Sequence, residues 1–181
     1  MKTINRAKLE YVSHCVPKDD VRYYLNGVLV EHNIIIATDG HRMAVTHDAS
    51  DVEEWEPVII PGDIVKTVLK MTPKIQEVIP IEPNKLGDIS FTPIDGTYPD
   101  WRRIIPTKFS DELSQFDPKY VLDAHKATEK LHGRDTKNIV LRHNGVSGAM
   151  LYRVDYNDSF TIIMPRRTEI PVDINLTWCK S

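Results

Sequence analysis

Residues 57–65 read PVIIPGDIV, and this stretch joins a short apolar run to the start of a helix. A valine and two isoleucines favour a strand, whereas a proline followed by apolar residues at helical spacing is typical of a helix start. Residues 3–9, TINRAKL, and residues 113–121, LSQFDPKYV, have the same character. The three junction residues are Asn5, Pro61 and Pro118. Because they are almost evenly spaced, the sequence predicts three repeated units.

Each predicted helix is followed by two or three predicted strands. These cover residues 21–30 and 33–45 in the first unit, 76–81 and 88–94 in the second, and 138–142, 149–154 and 159–164 in the third. Asn144-Gly145 and Asn157-Asp158 are turn signals between the last strands. A unit of strand, helix and meander predicts an α+β fold, with antiparallel sheets and with helices gathered on one face.

The second and third predicted helices each combine an apolar side with a lysine side. In the second helix the apolar residues are Ile64, Val65, Val68, Leu69 and Met71, and the lysines are Lys66 and Lys70. In the third helix the apolar residues are Val121, Leu122, Ala124, Ala127 and Leu131, and the lysines are Lys119, Lys126 and Lys130. Such lysines are usually a solvated face, but on two helices they could also bind a phosphate backbone.

The composition is that of a globular protein, with 41% hydrophobic and 27% charged residues. No apolar run approaches the roughly 20 residues of a membrane helix, and the N-terminus lacks the apolar core of a signal peptide. The sequence therefore predicts a cytoplasmic protein that does not bind membranes and keeps Cys15 and Cys179 reduced. A net charge of −3 argues against binding DNA by bulk charge, but it permits one local basic face.

The sequence contains no strong motif for catalysis, metal binding or nucleotide binding. It lacks HExxH, paired cysteine ligands, GxxxxGK[ST] and GxGxxG. Asp39 and His41 could form an acid–base pair, which leaves an enzyme acting on nucleic acid as one hypothesis. A tight turn at Thr38-Asp39-Gly40 explains the same residues without chemistry. We therefore expect a binding protein that is not an enzyme and uses no cofactor or metal.

Five strings resemble signature segments of the bacterial- or phage-type sliding clamp, the beta subunit of the replicative polymerase. The strings that resemble its central domain are DVRYYLNG (20–27), ATDGHRMAV (37–45) and IDGTYPDWRRIIP (94–106). The strings that resemble the second half of its final domain are FDPKYVLDA (116–124) and SFTIIMPRR (159–167). They occur in the family's order and span most of residues 3–167.

The resemblance implies a DNA-clamp fold, in which repeated units assemble head to tail into a ring with helices lining the hole. It implies a processivity factor that encircles duplex DNA through loose, sequence-independent phosphate contacts. The residues that it places towards DNA are Tyr23, Tyr24, Lys66, Lys70, Lys119, Lys126 and Lys130. Tyr23 and Tyr24 could stack on bases, or they could be half-buried strand aromatics.

The resemblance also implies a pocket between the central and final domains, where the polymerase, the clamp loader and repair proteins insert a short peptide motif. Its residues would be Leu25, Thr38, Gly40, His41, Arg42, Met43, Pro99, Arg103, Ile104, Val146, Ile162, Ile163, Met164, Pro165 and Arg166. Aliphatic side chains and methionine suit apolar peptide anchors, and arginines suit acidic groups. The isoleucines could equally be plain core residues.

The sequence departs from the family because it resembles only one whole domain and half of another. We expect residues 1–108 to form a clamp-like domain of two units, 109–167 a third unit, and 168–181 a C-terminal extension. Alternating apolar residues in that extension predict a strand that covers a sheet edge or pairs with a neighbouring subunit. They are Ile170, Val172, Ile174, Leu176 and Trp178. Gly62-Asp63 stands where the family often has a basic pair.

The reduced length leaves the assembly open. A family ring has twelve units, so chains of three units would need four copies, and a homo-oligomeric ring could be a tetramer or a trimer. Alternatively, a non-ring adaptor or decoy would bind only the clamp-binding motifs of replication proteins. The small size suits a phage or mobile element, in a bacterial cell or a phage-infected host.

Overall fold

A computed structural model of the chain describes residues 2–48, 56–133, 139–154 and 158–166. The predicted C-terminal extension and the turn residue Asn157 lie outside the described residues. Helices and strands recur in three groups, which we call the first unit (3–47), the second unit (58–90) and the third unit (118–163).

The first unit begins with a short strand that leads directly into a helix. Its elements are β1 (Thr3–Asn5), α1 (Arg6–Ser13), a 3-10 turn (Tyr23–Leu25), β2 (Gly27–Glu31), β3 (Ile34–Thr38) and β4 (Arg42–His47). The Asn5 side chain caps α1 by accepting a hydrogen bond from the Lys8 amide. The strand predicted over residues 21–30 is wrong before Gly27, because the Asn26 side chain bonds both backbone groups of Asp20 and closes a loop.

The second unit repeats this order. Its elements are β5 (Val58–Pro61), α2 (Gly62–Met71), β6 (Val78–Glu82), β7 (Lys85–Leu86) and β8 (Ile89–Ser90). A Cβ atom at Gly62 would lie 2.6 Å from the Val16 side chain and 3.0 Å from the Asn26 carbonyl oxygen. Close approach of the first unit therefore explains a glycine at the start of α2.

The third unit contains a helix and three strands. They are α3 (Pro118–His132), β9 (Ile139–His143), β10 (Met150–Val154) and β11 (Ser159–Ile163). The strand predicted over residues 113–117 is wrong, since this segment precedes α3 without joining a sheet. In the first two units, the strand before the helix pairs with the other unit: β1 with β6, and β5 with β2. The described third unit has no such sister, so its segment has no strand to pair with.

All the described strand pairs are antiparallel, and they form two sheets. A four-stranded sheet has the order β1-β6-β7-β8, and a seven-stranded sheet has the order β5-β2-β3-β4-β11-β10-β9. The first and third units meet at the β4–β11 pair, where Ile162 lies opposite Met43 and Ser159 opposite Thr46. The predicted α+β architecture with antiparallel sheets is confirmed.

Apolar side chains alternate between the two faces of the large sheet. Val28, Val30 and Ile35 face the helices and pack with Leu9 and Val12 of α1. Leu29, Ile36, Met43 and Ile59 face the opposite side, where they pack with Trp101 and Ile162. This period-two alternation places one core beneath the helices and a second core on the outer face, next to residues 94–105.

Two predictions about the helix faces need correction. Val65, Val68, Ala124 and Ala127 are buried, as predicted. Met71 is exposed because α2 ends there, at the cap residue Thr72. The burial predicted for Leu122 is also wrong, since its side chain is 49% exposed. None of the described helices is both long and apolar enough to cross a bilayer.

Candidate functional site

A basic groove runs between the three helices. It has a volume of about 580 Å³, and α1 forms its middle because α1 packs against both α2 and α3. Four of the lysines predicted to face DNA line it, two from each of the flanking helices. They are Lys66, Lys70, Lys126 and Lys130. Lysines that lie far apart in sequence thus share one surface.

The groove lining also contains two cations that the helical pattern did not predict. Lys74 lies beyond the end of α2, after Pro73, so it has no place on a helix face. Arg6 starts α1 and donates hydrogen bonds to the Leu69 and Thr72 carbonyls, which ties α1 to the last turn of α2. Cations close to a helix C-terminus also interact favourably with the helix dipole.

The acidic groups in the groove are already paired. Burial raises the pKa of Glu10, but the hydrogen bond from Arg6 and the nearby charge of Lys130 outweigh it and lower the pKa overall. The Glu10 carboxylate lies 2.8 Å from Arg6 and 3.4 Å from Lys130. Asp123 pairs with Arg42 at 2.7 Å. With six cationic and two acidic side chains in its lining, the groove is positive on a chain of net charge −3.

The remaining predicted DNA-facing residues lie outside the groove lining. Lys119 is exposed in the first turn of α3. Tyr23 is exposed in the 3-10 turn, where its ring meets Tyr24 edge to face at 5.7 Å. Tyr24 packs partly against the outer core. The structure therefore brings four of the seven predicted residues together and places these three elsewhere.

A smaller pocket of about 200 Å³ lies where the first unit meets the third. Nine of the residues predicted for the peptide pocket line it. They are Leu25, Thr38, Gly40, Arg42, Met43, Pro99, Ile104, Ile162 and Met164. Side chains from three separate stretches of the chain converge here because β4 and β11 are neighbours in the sheet.

Four lining residues were missed by the sequence reasoning. They are Arg22, Tyr98, Asp100 and Trp101. All four lie inside the strings 20–27 and 94–106, so those strings held the available signal. The indole of Trp101 donates a hydrogen bond to Glu31 at 3.1 Å, which fixes the wall of the pocket to β2.

Strand geometry explains why Ile163 is not in the lining. Ile163 is adjacent to Ile162 on β11, so it points to the opposite face, where it is fully buried beneath α3 with Ala124. Val146 also lies elsewhere, exposed between β9 and β10.

Four further predicted pocket residues lie beside the lining rather than in it. The ring of His41 stacks on Tyr120 at 6.2 Å. Arg103 is exposed, 3.9 Å from Asp100. Pro165 is half-buried, and the exposed Arg166 lies 3.9 Å from Asp117. The His41 ring thus connects the turn between β3 and β4 of the first unit to α3 of the third unit.

Arg42 joins the pocket to the helix layer. Its guanidinium lies 3.0 Å from Asp39 and 2.7 Å from Asp123 of α3, and it covers the ring of Tyr120 at 4.8 Å. The Asp39 carboxylate also accepts the backbone amides of His41 and Arg42. Asp39 therefore holds the turn and Arg42, which is a structural role rather than acid–base chemistry.

Known proteins resemble this chain over much of its length. Residues 2–100 match the family model described as DNA polymerase III beta subunit, central domain. The beta sliding clamp of Pseudomonas aeruginosa is 30% identical over 151 residues, which cover 76% of this chain and 41% of that protein. That of Vibrio cholerae is 33% identical over 121 residues, covering 60% and 33%. The chain thus spans less than half the length of these relatives.

Solved structures show the same fold over more of the chain. A DNA polymerase sliding clamp from Bacillus subtilis superposes with a TM-score of 0.73 at 21% identity, covering 92% of this chain and 64% of that one. One from Pseudomonas aeruginosa gives 0.70 at 20% identity, covering 92% and 66%. Both alignments extend well beyond the 2–100 match. Because that match alone takes in more than half of the residues, the chain belongs to the DNA polymerase III beta subunit family and contains its central domain.

Proposed function

We propose that the chain is a DNA sliding clamp, a non-enzymatic processivity factor whose oligomer encircles duplex DNA and tethers replication proteins. The observation that carries the proposal is the shared groove: Lys66 and Lys70 of α2 line it together with Lys126 and Lys130 of α3. Lysines on one continuous helix layer can contact phosphates without reading bases. A protein held on DNA by encirclement needs only weak contacts, which is compatible with a net charge of −3.

Encirclement requires more than one chain. The described part contains three helices in one layer, which is a quarter of the twelve units expected from the family resemblance. We propose a homo-oligomeric ring, in which a tetramer would supply the twelve units expected from the family resemblance. A trimer would supply nine, so the tetramer is the assembly that we favour.

The groove is tested by reversing charge inside it. We expect Lys66→Glu with Lys130→Glu to weaken binding to a short DNA duplex at low salt by at least about tenfold, because two phosphate contacts become repulsive. The wild-type protein should also be retained on nicked circular DNA during gel filtration until the circle is linearised, because encirclement rather than phosphate contact holds it there. Fluorescence anisotropy and gel filtration provide the two measurements.

The matched control is Lys18→Glu with Lys108→Glu, which changes the net charge equally at exposed sites outside the groove. Its affinity should fall by no more than about threefold. Equal losses in the two variants would mean that net charge, not the groove, governs binding.

We also propose that the pocket between the first and third units binds short apolar peptide segments of the polymerase, the clamp loader and other replication proteins. Its lining combines apolar side chains such as Ile104 and Met164 with Arg22 and Arg42 at its edges. A peptide with apolar anchors and an acidic group would therefore find complementary surfaces.

Met164→Glu should reduce the affinity for such a peptide by at least about tenfold, because it places a charge among apolar contacts. Titration of a labelled peptide by fluorescence polarisation measures this. Val146→Glu is the control, since Val146 is exposed but outside the lining. If Val146→Glu weakens binding as much as Met164→Glu, the peptide does not use this pocket.

A clamp-like adaptor or decoy is the second candidate. One observation favours it: the whole pocket lining comes from a single chain, so peptide binding needs no oligomer. Peptide binding by a monomer that is not retained on circular DNA would support the adaptor and exclude the ring.

A further inference from the structure

Among the residues that the structure describes, the third unit has no sister unit with which to exchange a strand, as the first and second units do with each other. The strand after α2 is β6, and β1 borders it; the strand after α1 is β2, and β5 borders it. In both cases, the bordering strand immediately precedes the helix of the sister unit. The strand after α3 is β9, which forms the edge of the seven-stranded sheet. Within the described ranges, β9 therefore lacks the strand that borders its two counterparts.

The outer edge of β9 presents backbone groups for pairing. The Ser110 amide donates to the His143 carbonyl at 2.9 Å from outside the sheet, so His143 points its backbone groups outward. Because the direction alternates along an antiparallel strand, Leu141 and Ile139 also point their backbone groups outward. Ser110 of the same chain already occupies the His143 end of this edge, so the part open to another strand is that of Ile139 and Leu141.

The first three side chains of β9, Ile139, Val140 and Leu141, are apolar and exposed. Leu141 lies opposite Tyr152, which is buried beneath α3, so Leu141 and Ile139 face the helix layer. They remain 46% and 43% exposed, respectively, because α3 packs against β10 and β11 rather than β9. A strip of the helix side of this sheet thus lacks the cover that a second helix would provide.

Leu122 is an exposed apolar residue on α3. Leu122 is five residues after the cap Asp117, as Glu10 is after Asn5 and Lys66 is after Pro61. Glu10 and Lys66 both line the groove formed by the three helices, and the Glu10 carboxylate lies 3.4 Å from Lys130 of α3. Leu122 thus occupies a position that faces neighbouring helices in the first two units, yet it carries an exposed aliphatic side chain. Such a position favours contact with an apolar partner helix.

Residues 113–117, which precede α3, would need to become extended to border a second β9. The Gln115 carbonyl accepts from Arg166, so in an extended segment Ser114 and Phe116 would point their backbone groups the other way. Leu113 is 65% exposed. This segment is placed like β1 and β5, immediately before a helix, but in the described chain it borders no strand.

We propose that a second copy of the chain completes the third unit through a twofold axis. Residues 113–117 of each copy pair with β9 of the other, and α3 packs against α3 of the partner subunit, with Leu122 at the contact. The proposal specifies how the oligomer of the proposed clamp is built and in that respect rests on it, although the surface argument uses only this chain.

The internal repeat indicates the hydrogen-bonding pattern of this pairing. The Ile81 amide donates to the Lys2 carbonyl, so the hydrogen-bonded pairs of β1 and β6 are Lys2 with Ile81 and Ile4 with Ile79. Phe116 precedes the cap of α3 as Ile4 precedes the cap of α1, and it packs on the helix side of its sheet. Phe116 would therefore form a hydrogen-bonded pair with a residue of the partner's β9 whose backbone groups point outward.

A second copy fits this surface because one operation supplies both missing elements, a strand and a helix. It adds a strand to the edge of the seven-stranded sheet and continues the helix layer across the axis, as the exchanged strands β1 and β5 and the contact of α1 with α2 do inside the chain. The dimer would contain six units in one arc, and two such dimers would supply twelve. The alternative occupant is the segment 167–181, which leaves the described chain beside Gln115 and could provide a strand but lies outside the described residues.

The first test is the mass of the full chain in solution. Light scattering after gel filtration should give an even multiple of the 20.8 kDa chain mass at high micromolar concentration. Leu122→Glu with Leu141→Lys should halve that mass or more. Ile75→Glu, an exposed apolar position elsewhere, should leave it unchanged. A monomeric wild-type protein, or an oligomer that the double variant leaves intact, would overturn the proposal. Circular dichroism checks that the variants stay folded.

The second test is a crosslink at the axis. In a Cys179→Ser background, with Cys15 buried, Leu122→Cys should form a disulfide-linked dimer under mild oxidation at least about tenfold faster than Val21→Cys, a more exposed control. Equal rates would contradict the axis. If deletion of residues 167–181 turns a monomer into a dimer, the tail occupies the edge and the proposal is wrong.

Crosslinking through residue 122 tests this inference, and retention on circular DNA tests the proposed function, so the two can fail separately. If the dimer crosslinks but is not retained on circular DNA, the proposed clamp function is wrong and the twofold contact is supported. A ring that is retained on DNA but does not crosslink through residue 122 would do the opposite.

Discussion

At the scale of single residues, Gly40 determines the shape of the pocket. It adopts a left-handed φ of 84°, and a Cβ atom there would lie 2.6 Å from the Arg22 guanidinium. Arg22 in turn donates to the Asp39 carbonyl at 3.1 Å and lines the pocket. The glycine thus satisfies both a backbone conformation and a close side-chain approach.

Gly40→Ala should therefore lower the free energy of unfolding by about 1–2 kcal/mol and weaken peptide binding at least about fivefold, because the new methyl group displaces Arg22. Gly133→Ala is the matched control: Gly133 has a similar φ of 82°, but nothing lies within 4 Å of its added Cβ. Urea denaturation and peptide titration measure the two effects. If both variants lose stability equally and both bind peptide normally, the contact with Arg22 is irrelevant.

At the scale of elements, α1 is the centre of the helix layer, and His14 lies at its C-terminal end. Burial lowers the pKa of His14 to about 4, against the opposing effect of its hydrogen bond to the Tyr11 carbonyl. The ring also lines the basic groove, where Arg42 adds to the lowering. The folded chain therefore keeps His14 neutral over a range in which an unfolded chain would protonate it.

This difference predicts a stability loss in mild acid. The unfolded state takes up a proton below about pH 6.5 and the folded state only near pH 4, so stability falls as the pH drops across that window. We expect a loss of about 1–3 kcal/mol from this group, since the ring is partly exposed. His14→Gln should flatten the profile measured by urea denaturation between those pH values. His41→Gln, at an exposed position, should retain it. An unchanged slope in His14→Gln would rule out this residue as the cause.

At the scale of the whole molecule, the junction of the first and third units creates the pocket. It consists of the β4–β11 pair, the contact of α1 with α3, and the Arg42–Asp123 ion pair. The same junction aligns the lysines of α3 with those of α2 along one groove. The pocket therefore needs only this chain, whereas a closed ring needs several copies. The two halves of the proposed function can consequently be lost separately.

Most elements and most of the pocket could be predicted from the sequence. The strands predicted over residues 33–45 and 149–154 contain β3, β4 and β10, and helical spacing located α2 and α3 because local burial patterns reflect secondary structure. The quoted strings contained the lining residues because each pocket wall is a continuous stretch of chain. Nine predicted residues accordingly lie in one pocket.

Which residues share a surface depends on the three-dimensional packing of elements that are distant in sequence. Ile162 and Ile163 have the same sequence character, and strand geometry sends them to opposite faces of the sheet. Residues 113–117 have a strand-like pattern, yet they form no strand because a strand exists only where another strand offers hydrogen bonds. Leu122 was predicted to be buried and is exposed for the same reason: burial depends on the presence of a partner, which a local pattern cannot encode.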